Sequence, residues 1–207
     1  LALANARTEG TDSRQEILRV AEEIFARKGY PGTSTREIAE AAGVTKGLLF
    51  YHFHSKQRLY LTVIEHEMES LFHLAIPPQP EGVDRKAHVR AFLEGWTDFQ
   101  AEHPNAIKLL VRELMDEGRF HDKIVDEYIK PLYDFGKEFL EAGVAEGVFR
   151  PLDPFHFIQI LAAANSMYFA MMPFYRRIQG EDLYTAEGLE HRKRELWRNF
   201  ARILERT

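Results

Sequence analysis

Ser34-Thr35-Arg36-Glu37-Ile38-Ala39-Glu40-Ala41-Ala42-Gly43-Val44-Thr45-Lys46-Gly47-Leu48-Leu49-Phe50-Tyr51-His52-Phe53 is the stretch that decides the fold. Ser34 with Glu37 three residues later is a capping box, which opens a short helix with Ile38, Ala39 and Ala42 turned inward. Gly43 ends that helix, and Thr45 caps the next, through about Phe53. Two short helices that cross steeply must touch, and the small Ala39 sits where they meet. Four residues on, the sharp turn favours a positive φ, which Gly43 adopts without strain. Ile38, Val44 and Leu49 are left to hold the pair against a preceding helix. Thr45, Lys46, Gly47, Leu48, Tyr51 and His52 are expected to face outward, a surface that suits a DNA major groove about 12 Å wide. An ordinary helical hairpin shares part of this pattern, but the caps together with Ala39 and Gly43 favour a helix–turn–helix.

Upstream, Ser13-Arg14-Gln15-Glu16 is another capping box. Ile17, Leu18, Ala21, Ile24 and Phe25 then recur at helical spacing as far as Gly29. Downstream, Ser55 caps a fourth helix running to about Ala75, with Lys56 at its positive dipole end, where a phosphate can sit. Pro77, Pro78, Pro80 and Gly82 make the clearest break in the chain. Beyond it, helices are expected at about 85–102, 105–117, 121–147, 154–178 and 185–205, with kinks at Pro131 and Pro173. No strand-like alternation stands out. The chain reads as all-α: an N-terminal arm (1–10), a three-helix head (11–71, with the helix–turn–helix at about 34–53) and a helical body (72–207).

Bulk composition narrows the partners. With 45% hydrophobic and 12% aromatic residues the chain can bury a full core, and it has no cysteine, which removes disulfides and Cys-based metal sites. The net charge of −5 is uneven: residues 1–58 carry 9 Lys/Arg against 7 Asp/Glu, so the rest of the chain is the acidic part. A mildly basic head suits local phosphate contact, although an imbalance of a few charges also arises by accident. The first dozen residues hold Arg7 and Glu9 and no apolar run, so no secretory signal is read there. The longest apolar stretch, 160–175, is broken by Asn165, Ser166 and Pro173 and is shorter than the roughly 20 residues that span a bilayer. A cytoplasmic protein without a membrane partner is expected.

The run from Thr35 to Gly47, continued through Leu48-Leu49-Phe50-Tyr51-His52-Phe53-His54-Ser55-Lys56, resembles the signature of the TetR/AcrR repressor family over about residues 11–71. The resemblance implies a DNA-binding head, a C-terminal domain for effector binding and dimerisation, and a homodimer on a palindromic double-stranded operator. By position it implies that Ser34 and Arg36 lie near phosphates, that Thr45, Lys46, Gly47, Leu48, Tyr51 and His52 face DNA, and that Lys56 holds a phosphate. Two positions depart from the family pattern. Leu48 stands where a small polar residue is usual and offers only apolar contact, such as with a thymine methyl. Phe50 stands where Tyr is usual and lacks its hydroxyl. The operator sequence is therefore not legible.

The body carries weaker signals. Leu189, Leu196, Trp197, Phe200 and Leu204 form a near-heptad stripe, and Phe169 and Met172 lie on the apolar run before it. The resemblance suggests a dimer interface at these residues, while intramolecular core would show the same pattern. Phe92, Trp96, Phe99, Met115, Tyr128 and Phe169 are candidates to line an apolar effector pocket, with Arg112, Asn165, Tyr168 and His103 as polar anchors. Core packing again explains any one of them. The nine histidines show no helical pairing of the kind that holds zinc or di-iron, so neither metal nor cofactor is expected. The leading expectation is a regulator, in repressor form, that leaves its operator when a small apolar or aromatic molecule binds. An all-α enzyme or ligand carrier using the aromatic cavity is the alternative, though no catalytic set can be placed.

Overall fold

The computed structural model describes residues 2–75, 84–115, 118–180 and 184–205, so the Pro77–Gly82 break lies outside the described residues. All regular elements among them are helical. The chain divides into two compact units: one joins residues up to Met68 with Lys108–Phe120, and the other joins Glu69–Ile107 with His121 onward.

In the first unit, α1 (Ala2–Lys28), α2 (Thr35–Ala41), α3 (Lys46–Phe53) and the early turns of α4 (Lys56–Ala75) enclose one core. Ile17, Ala21 and Phe25 from α1, Ile38 from α2, Leu49 from α3 and Leu59 from α4 are all fully buried. The second half of α6 (Pro104–Met115) and residues 118–120 complete this unit. Glu113, 6% exposed, is the reason: its carboxylate accepts from the Tyr60 hydroxyl at 2.8 Å and from the Phe120 backbone N–H at 2.6 Å. Around it the rings of Tyr30, Tyr60 and Phe120 meet at centroid distances near 5 Å, at 5.1 Å for Tyr30–Tyr60 and 5.2 Å for Tyr60–Phe120. A single boundary after residue 71 is expected from sequence; the structure ends the first stretch of the head at Met68 and adds Lys108–Phe120 to it.

From sequence the first helix is expected to start at Ser13, after an arm over 1–10. The helix instead begins at Ala2, and Glu16 pairs with Arg19 at 2.6 Å rather than closing a capping box. Ser13 thus lies inside the helix rather than at its start.

The second unit is a bundle in which α5 (Arg85–Glu102) packs against both α9 (Pro154–Ala170) and α11 (Ala186–Leu204), and α8 (Lys130–Ala145) packs against α9. An irregularity marks each of the two prolines expected to kink a helix. Ahead of Pro131, the short α7 (His121–Ile124) passes into a π-helical turn, Val125–Ile129, where Lys130 N–H reaches back to the Val125 carbonyl. At Pro173 the chain bends by 70° between α9 and α10 (Met172–Gln179). No single helix among the described residues is long and apolar enough to cross a membrane.

Buried polar groups tie α5 to α9. The Thr97 hydroxyl donates to Asn165 Oδ1 at 3.2 Å. With its amide turned to satisfy its neighbours, Gln100 accepts from Trp96 Nε1 at 3.0 Å and donates to the Asn165 carbonyl at 3.2 Å. Phe169, Met172, Leu196, Phe200 and Leu204 are at most 3% exposed within a single chain. These five are core, and a side chain already enclosed by its own protomer has no surface left for a partner. Leu189 and Trp197 are half-buried. The apolar surface lies elsewhere. Ile160 and Met167, seven residues apart on α9, are 51% and 38% exposed, and Phe174 and Ile178, four apart on α10, are 53% and 61% exposed.

Candidate nucleic-acid interface

Local capping chemistry builds the helix–turn–helix. Ser34 Oγ accepts from Glu37 N–H, Thr45 Oγ1 from Leu48 N–H and Ser55 Oγ from Arg58 N–H, at 3.1, 3.1 and 3.0 Å. The Ser34 capping box is only half made, because the Glu37 carboxylate turns to Lys28 Nζ at 2.5 Å. α2 ends as the sequence requires. Gly43 has φ +65°, its N–H reaches the Glu40 carbonyl at 3.2 Å, and Val44 N–H reaches the Ala39 carbonyl at 2.9 Å. This 6→1 and 5→2 pair is the Schellman stop.

α3 ends by a different device. His54 takes φ 60° and ψ −39°, and Ser55 N–H bonds back to the Phe53 carbonyl at 2.6 Å. That is a γ-turn with positive φ, a strained form for a residue carrying a side chain, and it swings the chain from α3 into α4.

On α3 the expected outward residues divide. Thr45, Lys46, Gly47 and Tyr51 are exposed, and Tyr51, at 75%, is a large side chain that the fold does not use. Around Gly47 the space is open: a Cβ there would meet nothing nearer than Thr45 Oγ1, at 3.8 Å. Leu48 is half-buried. His52 departs from the expectation of an outward face. It is half-buried beside the rings of Tyr51 and Phe53, and its Nε2 is enclosed without a hydrogen-bond partner. The apolar α1–α3 packing that buries Phe53 draws its neighbour partly inward as well.

The flanking polar residues are exposed to different degrees. Ser34 is exposed, although its hydroxyl oxygen already serves as the cap. Arg36 is exposed and held by Glu40 at 2.7 Å, and that hydrogen bond raises the guanidinium pKa above its usual value. Lys56 is half-buried, its ammonium 4.4 Å from the centre of the Tyr30 ring, and desolvation lowers its pKa below the usual lysine value. Lys56 is thus partly a packing residue of the head, which the sequence signal for a phosphate-facing helix end does not reveal.

The expected effector residues do not converge on one place. Arg112 and Met115 belong to the first unit. Arg112 lies across Gly29, and Met115 is 74% exposed. Phe92 and Trp96 meet at 5.4 Å and Phe99 stacks on His103 at 4.6 Å, while Tyr128 lies 6.4 Å from Phe72. Asn165 is fully buried and already bonded to Thr97, and Phe169 is fully buried. Tyr168 packs under Arg192. Among the described residues no group of three His, Asp or Glu side chains is placed to hold a metal ion.

Comparison with known proteins agrees with this architecture. The profile for bacterial regulatory proteins of the tetR family matches residues 17–63, and the profile for the tetracyclin repressor-like C-terminal domain matches residues 86–198. The HTH-type transcriptional regulator RutR of Escherichia coli (strain K12) is 26% identical over 173 residues, covering 82% of this chain and 80% of RutR. The HTH-type transcriptional repressor KstR2 of Rhodococcus jostii is 30% identical over 148 residues, covering 69% and 71% of the two chains. The solved structure of the ketosteroid transcriptional regulator KstR2 of Mycobacterium tuberculosis superposes with a TM-score of 0.75 at 20% identity, over 93% of this chain and 95% of that one. Two family profiles in tandem, on a chain that has a head with the capped helix pair and a second unit that is a helical bundle, establish that the chain belongs to the tetR family of DNA-binding transcriptional regulators.

Proposed function

We propose that the protein is a cytoplasmic repressor that binds a palindromic operator as a homodimer and leaves it when a small apolar molecule occupies the second unit. The observation that carries the DNA-binding part is the exposed set Thr45, Lys46, Gly47 and Tyr51 on the first turns of α3. Gly47 lies in the first turn of α3, and no neighbouring group in the chain accounts for its missing side chain. Close approach of a nucleic-acid backbone or base edge supplies the missing reason. Lys46 gives the unburied charge for a phosphate, with Ser34 and Arg36 at the start of α2 and Lys56 at the start of α4 beside it. Leu48 and His52 contribute only what their half-buried side chains leave exposed. Repression, rather than activation, is favoured by the name of the R. jostii relative.

Lys46→Ala is expected to lower affinity for operator and random duplex alike and to flatten the salt dependence by about one unit of slope, the share of one phosphate contact. Fluorescence anisotropy across a salt series measures this. An unchanged slope would remove Lys46 from the interface.

For the homodimer, the burial of the α11 stripe moves the reading to the surface that carries Ile160, Met167, Phe174 and Ile178, with Leu189 and Trp197 as lesser contributors. Exposed apolar side chains of this size favour a second copy over water. A chain with Met167→Glu and Phe174→Glu is expected to sediment as a folded monomer and to lose operator affinity, since one half-site contributes too little alone. A stable dimer in that variant would place the interface elsewhere. The effector acts through continuous helices in this account: α4 runs across the division after Met68, and α6 across that after Ile107. An operator fixes the spacing of its half-sites, so a ligand that shifts either helix changes how well the two heads match it.

A further inference from the structure

Arg192, on α11, is half-buried and has no carboxylate partner among the described residues. Its Nη2 donates to the Ala164 carbonyl at 2.5 Å, and its Nε is enclosed without an acceptor. The guanidinium carbon lies 4.3 Å from the centre of the Tyr168 ring, and that ring stacks on Tyr175 at 5.9 Å. Neither phenol hydroxyl has a hydrogen-bond partner among the described residues. The neighbouring cations are treated differently. Lys193 is taken up by Asp98 at 2.5 Å and Glu190 at 2.8 Å, and Arg198 by Glu195 at 2.6 Å.

Burial pulls the Arg192 guanidinium below its usual pKa range, with the two tyrosines acting in the opposite sense. A cation drawn out of water without a counter-charge is strongly unfavourable unless a charged partner arrives. Donors are in surplus here: one carbonyl oxygen faces a guanidinium and two phenols.

We infer that Arg192, Tyr168 and Tyr175 form the receiving site for a single carboxylate, and that the effector is an apolar small acid whose carboxylate they hold. This rests on the ligand-responsive reading above and deepens it. The donor set fits a carboxylate: the guanidinium matches its planar pair of oxygens, and phenol hydroxyls take the remaining lone pairs. A phosphate dianion would be left under-compensated by one cation. The stacked rings of Tyr168 and Tyr175 beside the guanidinium give a flat apolar wall that suits an acyl or aryl body. Of the run Arg192-Lys193-Arg194, which lies off the apolar stripe of α11, Arg192 and Lys193 both turn inward, and of these two only Lys193 meets carboxylates.

The same carboxylate chemistry has a second source, a Glu or Asp side chain of another copy of the chain, and the test separates the two. Octanoate, decanoate and phenylacetate, each beside its methyl ester, are titrated into the full chain by calorimetry and thermal denaturation, with sedimentation of every variant. The wild type is expected to bind at least one acid and to be stabilised by it, and to ignore the matching ester. Arg192→Gln should weaken that acid at least tenfold, Arg192→Lys should recover part of the loss, and Tyr168→Phe should weaken it less. The ligand-free operator affinity and dimer of these variants should match the wild type. Equal binding of acid and ester, acid binding that survives Arg192→Gln, or no acid bound by the wild type would each overturn the assignment. Dissociation of the dimer by Arg192→Gln would overturn it in favour of a second copy's carboxylate. Release of the operator by a neutral compound that binds Arg192→Gln and wild type equally would leave the ligand-responsive reading standing and remove only the acid.

Discussion

Tyr51→Ala should cost the protein its operator while leaving the fold intact. At 75% exposure the Tyr51 ring contributes little to packing, so thermal stability should change by no more than about 0.5 kcal/mol, as for other surface substitutions. On DNA the same side chain stands on the outward face of α3, where a lost base contact costs about 1–3 kcal/mol, roughly a tenfold to hundredfold loss in affinity. Random duplex, held by phosphate contacts, should be bound almost as before. Competition between operator and random DNA reads the two effects separately. A variant that keeps both wild-type affinity and wild-type preference would show that α3 does not read the sequence.

The second large effect is on stability, at Glu113. Its carboxylate satisfies two buried donors, the Tyr60 hydroxyl and the Phe120 N–H. Burial first, and the Glu113 bond next, hold the Tyr60 hydroxyl protonated well above the usual tyrosine range. Glu113→Ala strands both donors in a site that is 6% exposed, and an unsatisfied buried donor costs about 1–3 kcal/mol, so the loss should be about 3 kcal/mol. Glu113→Gln keeps one acceptor oxygen and should lose less. Tyr60→Phe removes one of the donors together with its partner bond and should also lose less than Glu113→Ala. Denaturant unfolding of the three variants gives the order. A loss below about 1 kcal/mol for Glu113→Ala would mean that water reaches the site and satisfies the donors.

The head was legible in the sequence because its determinants are local. Ser34, Thr45 and Ser55 cap the helices they immediately precede, and Gly43 meets a backbone requirement of its own turn. What the sequence could not show depends on distant partners. Nothing near Lys108 signals that 108–120 will complete the head, since Glu113 finds its partners at Tyr60, 53 residues away, and at Phe120. The stripe from Leu189 to Leu204 shows which face of α11 is apolar but not whether its own chain or another covers it. The structure fills most of that face from within and leaves Ile160 and Met167 of α9 and Phe174 and Ile178 of α10 exposed. The outward placement of His52 failed for a related reason: helical phase gives a direction, whereas the ring's enclosure depends on how tightly its neighbours pack.

The central claim, that α3 of a paired head reads a specific DNA sequence, is tested most directly by selecting bound sequences from random duplex DNA with the purified full chain. The account predicts enrichment of one palindromic sequence, with half-sites about one helical turn or a multiple of it apart, bound with a steep salt dependence and lost to Tyr51→Ala. Recovery of no preferred sequence, or of one that Tyr51→Ala binds as tightly as the wild type, would contradict it.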